Sequence, residues 1–510
     1  MSTQESVAAP DDKLDNGVYK AAAVVVLGAI MAILDTTVVN VALQTLAVQF
    51  QTSFDTIQWV ATGYLLALAT VIPITGWASD RFGTKRLYLM AIVLFLVGSM
   101  LAGLAWDIES LIIFRVLQGF GGGMLMPAGM TILTRVAGPH RVGRVMAVLG
   151  VPMLLGPIGG PILGGWLVDA VSWRWIFYIN VPIGIVTLLL ALRLLPKDEP
   201  EPAERFDFLG ILMVSPGLAA LIYGVANIPS AGGVGAVQVW LPAIAGLVLL
   251  IGFVLRAGRV SNPLIDLKLF KNRSFSVAMV TMSLFCVAFF GAMLLLPTYF
   301  LLVRGETALK AGLLLAPQGL GAMLTMPLAG RLADQIGARR IVLPGLVAIV
   351  GGLVAFTQVS ATTPYWLLLS ALFVIGLGMG GTMMPITSAA LQALTAKDMA
   401  RASTATNIIQ QTAGAIGSAV MSIILAGLLA GKFGVPTSQG QLAAVDAIHN
   451  PATHELAAGL AADSFATTFV WALALLALCV IPAFFLPNRR PAAPVTDASG
   501  EVAPPVILVH

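Results

Sequence analysis

Two ionisable residues interrupt apolar stretches in places where a charge is costly. Asp35 lies within AAAVVVLGAIMAILDTTVVNVAL and Arg115 within LIIFRVLQGFGGGM. Both runs suit the interior of a bilayer, where a charged side chain at mid-helix costs roughly 2.5–3.5 kcal/mol on insertion scales. A carboxylate in that setting can take up and release a proton, because burial disfavours its ionised form and a nearby cation favours it. Gly28, Ala32, Asp35 and Val39 fall on one stripe at helical spacing, with Thr36 and Asn40 beside it. A stripe that is small and partly polar faces protein or a cavity. Asp35 is about 15 residues past Lys20, roughly 22 Å along a helix axis, toward the outer half of the membrane. Arg115 is early in its span, in the same half, and Gly119, Gly122 and Gly123 are expected to leave open space beside its guanidinium. Asp35 and Arg115 are therefore the candidate proton-coupling pair. The alternative is a permanent structural pair between neighbouring helices.

The elements that position this pair follow from composition. Of 510 residues, 58% are hydrophobic and 10% charged, and the mean hydropathy is +0.93. A soluble domain of this composition would have an apolar surface, so the chain is an all-α polytopic membrane protein. At about 20 apolar residues per span, fourteen transmembrane helices are predicted, near 20–44, 57–77, 86–106, 110–134, 143–169, 174–195, 208–228, 238–257, 274–303, 309–333, 340–361, 364–394, 404–431 and 464–487. Residues 1–19 and 488–510 read as disordered cytoplasmic tails. The net charge of +4 is scattered through links and forms no face for nucleic acid. Cys286 and Cys479 lie in apolar runs without metal-ligand spacing, which indicates packing. No Walker motif, nucleophile elbow or HExxH is present, so the chain reads as neither an enzyme nor a metal or cofactor protein.

Charge placement gives orientation. Apart from Arg115, the Lys and Arg residues fall in links or at the ends of spans. With both termini cytoplasmic, the outer links hold only Arg174, Arg304, Lys310 and Lys432. This is the positive-inside asymmetry of a cytoplasmic membrane protein. Internal similarity gives the plan. GWASDRFGTKR at 76–86 resembles GRLADQIGARR at 330–340, Pro73 and Pro327 keep the same register, and GGMLMP at 122–127 resembles GGTMMP at 380–385. A six-helix half at 20–195 is thus repeated at 274–487, with two linking helices at 208–257 and an external loop at 432–463. Parallel repeats of this kind are a transporter plan, with the substrate site between the halves. Asp35 and Arg115 are not duplicated: Arg115 aligns with Phe373, and Asp35 with Ala288–Phe289.

Three further groups stand out. Gly156, Gly160 and Gly164 recur at every fourth position, with Gly165 alongside and Pro157 and Pro161 in the same helix. That spacing makes a groove without side chains, where a neighbouring backbone can approach, and the prolines favour a kink. A conformational seam and a static tight contact both fit it. Gly76, Asp80, Arg81, Gly83 and Arg86, matched by Asp334 and Arg340, form a duplicated inner-face loop that could latch one state. Ordinary charge anchoring is the alternative. Thr36, Asn40, Trp59, Tyr64, Met126, Phe289, Tyr299, Asn407, Gln410 and Gln411 are the candidate lining of a substrate cavity.

In this order, the residues resemble the major facilitator superfamily, and within it the fourteen-helix drug:proton antiporter branch. LDTTVVNVALQ at 34–44 resembles that branch's first-helix motif, GWASDRFGTKR the superfamily's signature loop, RVLQGFGGG at 115–123 its helix-4 motif, and GPIGGPILGG at 156–165 the helix-5 motif of antiporters. SWRWIFYINVP at 172–182 continues as in the branch. The resemblance implies a major facilitator fold of 14 helices arranged 6+2+6. It also implies proton-coupled export of lipophilic small molecules or drugs by alternating access, driven by the proton gradient without a cofactor. The alternative is a secondary transporter of a specific metabolite or lipid, with symport as one form of it. The expected partners are lipophilic or monocationic substrates, protons and the bilayer, with the chain acting as a monomer. Gln44 stands where the branch usually has Pro, and Ala147 where Gly is common. The second half lacks the extra acids of some cation exporters, which argues against dicationic cargo.

Overall fold

Long apolar runs become long helices in the computed structural model, which describes residues 16–52, 54–137, 159–160, 163–168, 170–197, 207–226, 235–260, 266–392, 398–436, 440–450 and 453–488, with the isolated positions 228, 263, 264 and 394. In chain order the helices are α1 (Asn16–Gln49), α2 (Phe54–Phe82), α3 (Thr84–Gly103), α4 (Ile108–Ala137), α5 (Trp175–Tyr178), α6 (Asn180–Leu194), α7 (Phe208–Ala226) and α8 (Val237–Ala257). They continue with α9 (Arg273–Leu302), α10 (Ala308–Ile336), α11 (Arg339–Phe356), α12 (Tyr365–Gly380), α13 (Met383–Gln392), α14 (Met399–Phe433), α15 (Gly440–His449) and α16 (His454–Ala483). Among the described residues 13 stretches are long and apolar enough to cross a membrane. Most of the remaining expected span, 143–169, lies outside the described residues, as do most of both tails.

Several boundaries differ from the sequence expectation. The first helix starts at Asn16, inside the expected tail. The span expected at 364–394 is two helices, α12 and α13, parted at Gly381–Thr382. The expected loop 432–463 is much shorter, because α14 runs to Phe433 and α16 begins at His454, with α15 between them. The 76–86 loop is mostly helix. Hydropathy marks where a helix enters the apolar layer, whereas the helix itself continues through polar residues until a residue breaks it.

That breaker is glycine, twice. Gly83 joins α2 to α3 at φ 93°, ψ 142°, and Gly337 joins α10 to α11 at φ 91°, ψ 148°. L-residues rarely adopt such a φ. The Gly83 N–H donates to the Ser79 carbonyl and the Gly337 N–H to the Ala333 carbonyl, each at 3.1 Å. The corner is thus the same in both repeats. The basic residue two places on closes the end of each half. Lys85 Nζ donates to the carbonyls of Leu192 (2.9 Å) and Leu195 (2.8 Å) at the end of α6. Arg339 donates its backbone N–H to the Pro487 carbonyl (3.2 Å) and lies over the Phe484 ring just past α16.

Within the first half α4 is wedged between α2 and α3. A Cβ on Gly119 would lie 2.5 Å from the Tyr64 carbonyl oxygen, and one on Gly121 only 2.4 Å from the Phe95 nitrogen. Neighbouring helices therefore fill the space at Gly119 and Gly121, whereas Gly122 and Gly123 border a cavity. The open space expected beside the guanidinium is absent because α2 takes it. Across the two halves, α14 packs against α2 and α4. The linking helices α7 and α8 pack on each other, and α7 also leans on α2 and α14. Asp207 ties this pair down: its carboxylate accepts from the backbone of Gly210 (2.9 Å) and Leu264 (3.1 Å) and pairs with Arg256 at 2.7 Å.

Candidate functional site

Asp35 on α1 and Arg115 on α4 meet inside the first half, each about 1% exposed. Arg115 Nη1 donates to Asp35 Oδ2 at 2.6 Å and to Gln118 Oε1 at 2.7 Å, and Arg115 Nε donates to the Val60 carbonyl at 3.2 Å. The other carboxylate oxygen, Asp35 Oδ1, accepts from Gln118 Nε2 (2.8 Å) and from Asn180 Nδ2 (3.1 Å). Asn180 Nδ2 also donates to Ser99 Oγ (3.1 Å), and Ser99 in turn donates to the Phe177 carbonyl (2.9 Å). The guanidinium stacks on the Tyr64 ring at 4.2 Å and has Phe177 at 5.7 Å. Four helices and the α5–α6 junction thus converge on one carboxylate. Two unpaired charges could not remain at this depth. The pair is tolerated because nearly every polar atom in it has a partner.

Beside this network lies a cavity of ≈330 Å³, within the range of small-molecule sites. Thr36, Tyr64, Met126, Phe289, Asn407, Gln410 and Gln411 line it, together with Thr37, Phe290, Met293, Met379 and Met383. Residues of both halves contribute, and among the described lining residues none carries a charge. Asn407 also spans the two halves, with Nδ2 3.3 Å from Met130 Sδ. Neither Asp35 nor Arg115 lines the cavity. Tyr64 does, and it covers Arg115; its hydroxyl has Thr36 beside it but makes no hydrogen bond of normal geometry.

Two of the predicted lining residues are elsewhere. Trp59 is 39% exposed and stacks on Tyr223 of α7, away from the cavity. Tyr299 is buried near the far end of α9, where its hydroxyl donates to the Ser360 carbonyl at 2.8 Å. The side chain of Asn40 lies outside the described residues.

Of the glycine motif, Gly156, Pro157 and Pro161 lie outside the described residues. Gly160 and Gly164 press on α1: a Cβ at 160 would lie 2.0 Å from Thr37 Oγ1, and one at 164 would lie 3.1 Å from Val38. Gly165 has nothing within 4 Å. The close approach made by the described glycines is therefore to the helix that carries Asp35, within the same half.

On the other face, Gly76 is buried within α2, and Asp80 lies in its last turn instead of in a loop. Asp80 pairs with Arg135 of α4 at 3.0 Å, and the same guanidinium donates to Thr84 Oγ1 at 3.1 Å. Arg81, Arg86 and Arg340 are exposed, and the Asp334 side chain lies outside the described residues.

Sequence reasoning missed Gln118, Asn180 and Ser99. Gln118 could have been found as the residue one turn after Arg115. Asn180 and Ser99 carried no signal beyond being polar within an apolar run.

Comparison with known proteins agrees with this architecture. The family model described as Major Facilitator Superfamily matches residues 25–418. The chain is 45% identical over 495 residues to the "Multidrug resistance protein B homolog" of Mycobacterium tuberculosis (strain ATCC 25618 / H37Rv), covering 94% of this chain and 92% of that protein. It is 31% identical over 399 residues to the "Multidrug export protein EmrB" of Escherichia coli (strain K12), covering 77% of each. Among solved structures, the proton:xylose symporter XylE has a similar fold, with a TM-score of 0.57 at 15% identity over 91% of this chain and 96% of that one.

Proposed function

The chain belongs to the major facilitator superfamily, and we propose that it is a multidrug exporter that moves lipophilic small molecules out across the cytoplasmic membrane in exchange for protons, by alternating access. The relatives named for multidrug resistance and multidrug export support the drug-efflux part of this reading. The observation that carries the proton part is the buried Asp35–Arg115 pair lying against, yet outside, an uncharged cavity shared by both halves.

A transporter must change shape between two accesses, and a buried carboxylate is a group whose charge can change with it. Burial makes the charged carboxylate costly, while Arg115, Gln118 and Asn180 offset that cost. Adding a proton removes most of what these donors gain. Cargo in the cavity and the proton on Asp35 would then favour different arrangements of α1 against α4, which couples the two flows. Gly160 and Gly164, which press against α1, belong to the seam along which that helix moves, and Asp80 with Arg135 helps to close the basic face. The protein works as a monomer without a cofactor, and both termini are cytoplasmic. Reagents applied from outside should therefore label Asn450→Cys, while the buried Cys286 and Cys479 stay unreactive.

The test uses the purified full chain in proteoliposomes. An imposed proton gradient should drive a lipophilic drug against its own gradient, in the direction opposite to proton flow. Movement of both in one direction would mean symport. No response to the gradient would remove proton coupling altogether.

A further inference from the structure

We propose that Asn180 is a positioning residue that senses the charge of Asp35: it holds the ionised carboxylate and releases it on protonation, so that an arriving proton loosens the α5–α6 junction and Ser99 of α3 from α1 at this level. This rests on the reading of Asp35 as the proton site.

An ionised carboxylate only accepts hydrogen bonds. Asp35 receives three from described side chains, at 2.6 Å from Arg115, 2.8 Å from Gln118 and 3.1 Å from Asn180. Oδ2 belongs to Arg115, while Oδ1 is shared by the two amides. The step is the addition of one proton, drawn from the transported ion, to a carboxylate oxygen, with no other bond made or broken. A proton on Oδ1 brings an O–H up against two N–H groups, and one amide must withdraw. It also removes the charge assistance that roughly doubles the strength of such bonds.

The geometry decides which amide leaves. Gln118 is anchored at its other end, where its Oε1 accepts from Arg115 at 2.7 Å, and both residues sit on α4. Asn180 makes the longest of the three bonds and already has a second acceptor in Ser99 Oγ. It is also the first residue of α6, at the break after α5, where Ser99 holds the Phe177 carbonyl. Its withdrawal therefore loosens a junction between elements, whereas withdrawal of Gln118 would only disturb α4. The charged or titratable groups facing Asp35 among the described residues are Arg115 from α4 and Tyr64 from α2. The α3 and α6 helices bring only the neutral Ser99 and Asn180 to Asp35, so the part of their hold on α1 that runs through this network depends on the charge of Asp35, while Tyr88 of α3 keeps its own bond to the Val24 carbonyl of α1.

The experiment is infrared difference spectroscopy of the full chain in lipid bilayers across a pH titration. The carboxylic C=O band of Asp35 is assigned by its loss in Asp35→Asn. A donor that favours the ionised form, once removed, makes protonation easier. Asn180→Leu should therefore raise the pH of half-protonation by about one unit. Ser99→Ala, which leaves the Asn180 amide in place but removes the hydroxyl that aims it and that also holds the Phe177 carbonyl, should raise it by less. A structural role alone would alter thermal stability and leave this midpoint in place. An unchanged or lowered midpoint in Asn180→Leu overturns the proposal. If that variant does not fold, an unchanged or lowered midpoint in Ser99→Ala does so instead. A parent protein in which the Asp35 band never titrates overturns the proton-site reading and this proposal together. A band that titrates but ignores Asn180 and Ser99 overturns this proposal alone.

Discussion

The Tyr64 ring touches both the cavity, which it lines, and the Arg115 guanidinium, which lies 4.2 Å from its centroid. The cavity and the buried ion pair are thus separated by one aromatic side chain. Coupling between them needs no direct contact, only that Tyr64 and the α1–α4 contact shift together.

The first prediction concerns the pair. Asp35→Asn keeps the shape and removes the titration, so proton-driven efflux and substrate-induced proton release should fall to background while neutral drug still binds. Proton release equal to the parent's, measured on purified protein, would make Asp35 structural. Arg115→Ala deprives a buried carboxylate of its cation and should shift the pH profile of transport upward, or lower stability by as much as ~3–5 kcal/mol if the pair also holds α1 to α4. Arg115→Lys should recover only part of the function, since an ammonium cannot reach Asp35, Gln118 and the Val60 carbonyl as the planar fork does.

The glycines supply an internal control. Gly160→Leu drives a side chain into Thr37 and Gly164→Leu crowds Val38, so both should stop transport while the protein still inserts into membranes. Gly165→Leu enters open space and should transport nearly as the parent does. Equal losses in all three, at matched expression, would point to a general intolerance of bulk in this helix.

Cargo selectivity follows from the uncharged lining. Without a carboxylate in the cavity, a cation must enter a poorly solvating site with no counter-charge. Competition assays on matched drug pairs should show neutral and monocationic compounds preferred over dications. Gln411→Glu, which adds one acid to the lining, should raise monocation export relative to neutral export, with a larger effect at higher pH. A parent that prefers dications would contradict the description of the cavity.

A separate pH effect belongs to the far end of the second half. Glu306, in the link between α9 and α10, bonds Lys310 at 2.8 Å and the Tyr365 hydroxyl, and these partners, Lys310 foremost, hold its carboxyl below the usual glutamate range. A depressed carboxylate adds stability that is present above its unfolded value, about 4.3, and is lost as pH falls through its folded value. Thermal unfolding of Glu306→Gln should therefore be slightly lower than the parent's at pH 7, and the two curves should converge in strong acid. A gap that widens on acidification would reverse the sign and discard the assignment.

What could be read in advance depended on the cost of each feature. A charge in an apolar run has so few tolerable explanations that Asp35 and Arg115 stood out by type alone. The duplicated halves were visible for a similar reason, since glycine, proline and charge at matching places are hard to arrange by chance. Neutral polar residues carry no such cost on the page. Asn180 and Ser99 became visible only when helix rotation turned them toward Asp35. Aromatic side chains were harder still. Tyr64 and Phe289 line the cavity, but Trp59 stacks outward on Tyr223 and Tyr299 reaches Ser360, and hydropathy is blind to that difference in direction. Helix ends were misjudged where polar residues such as Asp80 continue a helix beyond its apolar part.

The matched corners at Gly83 and Gly337 bear on how the two halves have diverged. A corner at φ near +90° tolerates little but glycine, and altering it would redirect the whole helix that follows. Such a position cannot drift by small steps after a duplication, so both copies inherit it unaltered. The interior of each half is freer, because one substitution there changes chemistry without moving the backbone. Phe289 and Phe373 in one copy stand against Asp35 and Arg115 in the other: a shared mechanical frame in which only one copy carries a buried ion pair at these positions.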